Sequence, residues 1–95
     1  MKYFDWNKEK NEHLKKTRGI SFEDVINNIN VGNLLESIGH PNKEKYPNQK
    51  MWVVKIEDYV YLVPVVEDEK KFFLKTIFPS RKATSKYLAK RRKTK

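Results

Sequence analysis

The stretch from Met51 to Pro79 constrains the fold most, because 17 of its 29 positions are apolar or aromatic and they fall into three runs. Glu57-Asp58 separates the first run from the second, and Glu67-Asp68-Glu69-Lys70-Lys71 separates the second from the third. Short runs rich in Val, Tyr and Phe with tight polar breaks predict consecutive antiparallel strands at Met51 to Ile56, Tyr59 to Val66 and Phe72 to Phe78. Pro64 has no N–H to give to a ladder, so a bulge or an edge position is expected in the middle strand.

The rest of the chain supplies helices. Asn7 to Arg18 is polar, with Asp5 or Asn7 available as N-cap, Gly19 as a stop and Leu14 as its main apolar contact. Ser21 and Asp24 form a capping-box pattern, Ile20 and Val25 stand at staple positions, and Phe22, Val25, Ile26 and Ile29 follow helical spacing up to Gly32. Leu34 to Ile38 fits a short strand, and the segment from Gly39 to Asn48 a long polar loop. Ser80 is placed to cap a last helix whose Ala83, Tyr87 and Leu88 face the sheet. The expected class is therefore α+β over residues 1–95: two N-terminal helices, a small, mainly antiparallel sheet of about three to five strands, and a C-terminal basic helix ending in a disordered basic tail from about residue 90. At 95 residues there is room for one core, which excludes a second catalytic domain.

Charge is distributed unevenly. Residues 81–95 hold 8 basic side chains and no acid, which leaves 13 basic against 12 acidic residues elsewhere. That is the footprint of a polyanion or acidic-protein binder. No cysteine is present, so disulfide and thiolate chemistry are excluded and a reducing compartment is expected. The polar opening Met1-Lys2-Tyr3-Phe4-Asp5-Trp6 does not resemble a signal peptide, and no run has the roughly 20 apolar residues of a membrane span, so a cytoplasmic protein without membrane contact is expected.

His13 and His40 lack partners at chelating spacing, so neither a metal site nor a cofactor is expected. Gly19, Gly32 and Gly39 are isolated and build no phosphate-cradling loop. The candidates that remain lie near the last strand and helix. Lys75 sits in an apolar run, where its charge needs water or an anion, and alternation puts it on the side of Phe73 and Ile77. Arg81 and Lys82 occupy a helical first turn, where cations oppose the dipole unless an anion is bound. Lys82, Lys86, Lys90 and Lys93 recur on one helical face suited to tracking phosphates, with Tyr87 beside them. The plainer reading is that Lys75 snorkels at an edge and the other cations are simply solvated. His40 in Gly-His-Pro-Asn has the chemistry of a proton carrier near neutral pH, although an ordinary turn role is the plainer one. Tyr46, Tyr59 and Tyr61 offer rings for unpaired bases, although Tyr59 and Tyr61, as strand residues, are more often core or cross-strand packing.

Two segments then resemble a known family. Trp6-Asn7 with Lys10 and Asn11, followed by Arg18-Gly19-Ile20-Ser21-Phe22-Glu23-Asp24-Val25, is similar to the opening of BrnT-type toxins. Lys75-Thr76-Ile77-Phe78-Pro79-Ser80-Arg81-Lys82-Ala83-Thr84, with the later Tyr87, resembles the Arg-x-Ile-Ser-Ala-Arg-Lys-Ala-Thr segment and following Tyr of that family. The resemblance implies a bacterial type II toxin of the RelE-like superfold, a ribonuclease neutralised by a cognate antitoxin. By position it implies Lys75 where the family has an Arg on the last strand, Arg81 at the Arg of its Ser-Ala-Arg, and Lys82 at the basic residue after it.

The expected function is metal-independent endoribonuclease activity that inhibits translation and growth. Lys75 and Arg81 would stabilise the phosphate, His40 or a tyrosine would move protons, and Lys82, Lys86, Lys90 and Tyr87 would hold RNA. The expected partners are the antitoxin, RNA and the ribosome, with operator DNA reached only through the antitoxin. A noncatalytic RNA- or ribosome-binding module, and a RelE-fold toxin acting on a protein such as gyrase, are the alternatives.

Overall fold

Each helix is set by local chemistry at its ends. In the computed structural model, which describes residues 2–89, Asn7 accepts the N–H of Lys10 at 3.0 Å and starts α1 (Lys8–Arg18). Gly19, at φ 66, ends it in the left-handed region that glycine adopts without a Cβ penalty. Ser21 and Asp24 complete the expected capping box at α2 (Phe22–Asn30), Ser21 Oγ accepting the Asp24 N–H at 3.1 Å and Asp24 accepting the Ser21 N–H at 2.9 Å. Both staple residues, Ile20 and Val25, are buried.

The strands are β1 (Tyr3–Trp6), β2 (Leu34–Gly39), β3 (Gln49–Ile56), β4 (Tyr59–Glu67), β5 (Lys71–Leu74) and the two-residue β6 (Phe78–Pro79). They form one mixed sheet in the order β1-β5-β4-β3-β2, with β6 also paired to β4. Every pairing is antiparallel except β1 with β5, whose register runs from Tyr3 opposite Lys71 to Trp6 opposite Leu74. The α+β class is as expected, with β1 as an additional strand.

The predicted last strand divides in two. Pro64 lies inside β4, an interior strand, and its carbonyl accepts the Lys75 N–H at 2.9 Å. Because a strand residue points its N–H and C=O to the same side, the donor that Pro64 lacks faces that same neighbour. The ladder stops there, and residues 75–77 leave it before β6 resumes opposite Tyr61 and Leu62. This corrects the expected side for Ile77: it is fully buried in the core with Leu74, whereas Lys75 is exposed.

The core lies between the helices and one sheet face. Leu14, Ile20, Phe22 and Val25 pack against Trp52, Val54, Val63, Val65, Leu74 and Ile77, with Phe4, Trp6 and Phe72 around them. Trp6 stacks on Phe22 at 5.7 Å, and Trp52 meets Phe72 at 5.1 Å. Each such large apolar side chain contributes about 1.5–3 kcal/mol by leaving water. One buried polar residue joins the helices: Asn11 accepts the Phe22 N–H and donates to Glu23, both at 2.8 Å. The residues behind the family resemblance at the N-terminus, Trp6, Asn11, Gly19 and Ser21 to Glu23, thus act here as caps, braces and core.

The chain ends its described course in α3 (Arg81–Thr84), continued as a π-helical turn over Ser85–Ala89. The expected tail and Lys90 lie outside the described residues. Among the described residues no helix is long and apolar enough to cross a membrane.

Candidate nucleic-acid interface

The second sheet face carries most of the candidate cations. Strand alternation places Glu36 and Ile38 of β2, Met51 and Val53 of β3, Leu62, Pro64 and Val66 of β4, and Phe73 of β5 on this side, opposite the core. Ser80 caps α3 by accepting the Ala83 N–H at 3.0 Å, and the Thr84 hydroxyl accepts the Val60 N–H at 2.9 Å, fixing the helix beside β4. From there α3 and the π-turn cross the face over Val53 and Leu62, and the Tyr87 hydroxyl donates to the Glu36 carboxylate on edge strand β2.

Two apolar grooves of about 230 Å³ each result, and they share Ile38. One lies under α3 and is bordered by Lys82, Lys86 and Tyr87. The other runs from His40 and Pro41 past Met51 to Pro64, next to Lys75. The structure therefore distributes His40, Lys75, Lys82, Lys86 and Tyr87 around one face. Arg81 is exposed at the start of α3. Among the described residues no hydrogen bond, ion pair or ring contact joins Lys75, Arg81 and His40 to one another.

Two candidates already have occupations within the fold. Tyr87 is tied to Glu36; that hydrogen bond, with burial and the nearby negative charge, raises the phenol above its ordinary 10.0. Lys86 lies over its ring at 5.3 Å. His40 Nδ1 accepts the Asn42 N–H at 3.0 Å, and its ring packs on Tyr46 at 4.5 Å. With Nδ1 accepting, the neutral ring carries its hydrogen on Nε2, which is free to donate a hydrogen bond, while the lone pair of Nδ1 is engaged. Lys75, Arg81, Lys82 and Lys86 have no carboxylate partner among the described residues.

Arg18 is the positioning residue that its sequence context does not announce. Its Nη1 donates to the Ile77 carbonyl at 2.6 Å, bracing the segment between β5 and β6 that leads from Lys75 to Arg81. The only sequence signal was its place just before the α1 stop at Gly19. Arg18 also lines a polar cleft of about 330 Å³ with Asp24, Asn28, Glu57 and Tyr61. Among the described residues no group of three or more His, Asp or Glu side chains is gathered as a metal ligand set.

Comparison of the chain with family models, curated proteins and solved structures finds no match in any of the three.

Proposed function

We propose that this chain is a bacterial type II toxin of the BrnT kind that cleaves RNA without a metal ion and is held inactive by a cognate antitoxin. The observation that carries this reading is the set of cations without carboxylate partners among the described residues, Lys75, Lys82 and Lys86, around one partly open sheet face with Arg81 at its margin. The resemblance of the sequence segments that bear these residues adds to it. Cleavage of this type needs the 2′-oxygen to attack phosphorus while the 5′-oxygen leaves, and the extra negative charge on phosphorus must be stabilised. Lys75 and Arg81 supply the opposing positive charge, the 2′-OH gives its proton to water, and the leaving 5′-oxygen takes one from water or from the imidazolium form of His40, which forms only when Nδ1 releases the Asn42 N–H. Lys82, Lys86 and the basic stretch beyond them, including Lys90, hold the strand. An acidic antitoxin segment would cover the same cations, and cytoplasmic RNA, free or on the ribosome, would be the substrate.

A noncatalytic RNA-binding module is the second reading, and the engagement of His40 with Asn42 and Tyr46 favours it. Substituting Lys75→Gln and Arg81→Ala together separates the two. In the enzyme, turnover is lost while RNA affinity falls only in part. In the binder, affinity falls in step with charge, and log K against log salt flattens by about 0.7 per lost contact to a single strand.

A further inference from the structure

Strand β4 is apolar on both faces, with Val60, Leu62, Pro64 and Val66 alternating with Tyr61, Val63 and Val65. A strand of that composition is suited to burial on both sides. The first face is closed by α1 and α2. The second is closed only over Val53, Val60 and Leu62, and the rest is open: Ile38 is 44% exposed and Tyr3 55%, while Met51, Pro64, Val66 and Phe73 are half-buried.

The register makes these residues neighbours. Ile38 stands opposite Met51, which stands opposite Pro64; in the next row Val66 stands opposite Phe73 and Phe73 beside Asp5; Tyr3 and Lys71 form the row after that. Lys71 is occupied, since it pairs with Asp5 at 3.2 Å and lies 5.8 Å from the centre of the Phe73 ring, fixing that ring from one side. Lys75, exposed and bonded through its N–H to the Pro64 carbonyl, follows the end of β5 two residues beyond Phe73, and Lys82 and Lys86 border the groove under α3. Apolar floor, two aromatic rings and unpaired cations are thus contiguous.

We propose that this open part of the sheet is a platform for single-stranded RNA, with bases stacked on Phe73 and Tyr3 and the backbone phosphates held by Lys75, Lys82 and Lys86. The proposal rests on the RNA reading above and adds to it where, and by what chemistry, the strand lies. Charge opposes a second copy as the cover, because each copy carries +9. An exposed Tyr3 ring and a half-buried Phe73 ring near free cations suit an unpaired strand: every base has a π-face, and every nucleotide a phosphate.

The test is fluorescence anisotropy of a labelled 2′-O-methyl single strand of about ten uridines with the full chain in EDTA, the methyl groups blocking attack by the 2′-oxygen. Unmodified RNA is assayed for cleavage in parallel. The platform predicts that Phe73→Leu and Tyr3→Ser each weaken binding about fivefold or more, that Phe73→Tyr retains it, and that Lys75→Gln lowers the salt slope by about 0.7. Circular dichroism of each variant confirms folding. Binding that ignores Phe73 and Tyr3, equal affinity for a duplex, or tighter binding of an acidic amphipathic peptide on this face overturns it. If RNA is cleaved while those variants change nothing, the platform falls and the ribonuclease reading stands; if wild-type chain neither binds nor cleaves, both fall.

Discussion

Arg18, the last residue of α1, donates Nη1 to the carbonyl of Ile77 at 2.6 Å, so residues 59 positions apart are held by one charged hydrogen bond. The bond lies where the ladder is broken opposite Pro64, and it substitutes for lost strand pairing in fixing the path from Lys75 to Arg81. Arg18→Met should therefore destabilise the fold by about 1–2 kcal/mol, a fall of roughly 4–16 °C in Tm for a domain of this size. If Arg18 positions the site, the variant should also lose RNA cleavage at a temperature where it is fully folded. Thermal melts beside activity at 25 °C check both.

Asn11 is the buried polar joint between α1 and α2. Asn11→Leu leaves the Phe22 N–H without its acceptor, at a cost of about 1–3 kcal/mol. Asn11→Asp keeps that acceptor but sets a carboxylate against Glu23, whose own carboxyl is held below its ordinary 4.5 first by the hydrogen bond from Asn11. The Asp variant should regain stability relative to the Leu variant as pH falls toward 4, when one of the two carboxyls takes a proton. Urea unfolding at neutral and acid pH measures the crossover.

Acid should weaken the wild-type fold for a related reason. Lys2 and Lys50 hydrogen-bond Glu67 and hold its carboxyl below the usual 4.5, and the N–H groups of Lys70 and Lys71 hold Asp68 below 3.8. A carboxyl with a depressed folded-state pKa stabilises the fold above its unfolded value, and that contribution is lost as pH falls through the folded value. The urea midpoint is therefore expected to hold from pH 7 to about 5 and to drop below about 4.5. Glu67→Gln should flatten that drop; an unchanged pH dependence in the variant would remove Glu67 as a cause.

Tyr87 behaves in the opposite sense. Its raised phenol pKa gives stability that is present below the ordinary 10.0 and is lost as pH rises through the folded value. Tyr87→Phe and Glu36→Ala each cut the tie between the π-turn and β2, and each should cost about 1 kcal/mol or less, because the pair is exposed. A double mutant no worse than either single variant would show that the two losses are one interaction.

Much of the scaffold was legible because its signals are local. Capping box and staple fixed the start of α2 to the residue, while its end came at Asn30, two residues before the expected stop at Gly32, and apolar runs bounded by charged turns located β3 and β4 to within two residues. Strand β1 was missed because Tyr3–Trp6 is four residues long and its partner, β5, is more than 60 positions away. The split of the last strand was half visible: Pro64 signalled an irregularity in its own strand, but the irregularity appears in the neighbour that would have used its N–H. The exposed cations Lys75, Lys82 and Lys86 could be read from alternation and helical spacing. Tyr87 could be placed, but its tie to Glu36 could not, since Glu36 lies 51 positions away on another element. Arg18 showed no sign of its role, because a backbone carbonyl such as that of Ile77 leaves no trace in residue type.

Cleavage of RNA by the cations around the second sheet face is open to direct test. Its most direct measurement incubates purified chain with end-labelled single-stranded RNA in EDTA, beside Arg81→Ala and Lys75→Gln, and analyses fragments and their ends. Fragments ending in 2′,3′-cyclic phosphate are expected from the wild-type chain and should disappear in both variants. Intact RNA with the wild-type chain, or equal cleavage by either variant, would contradict it.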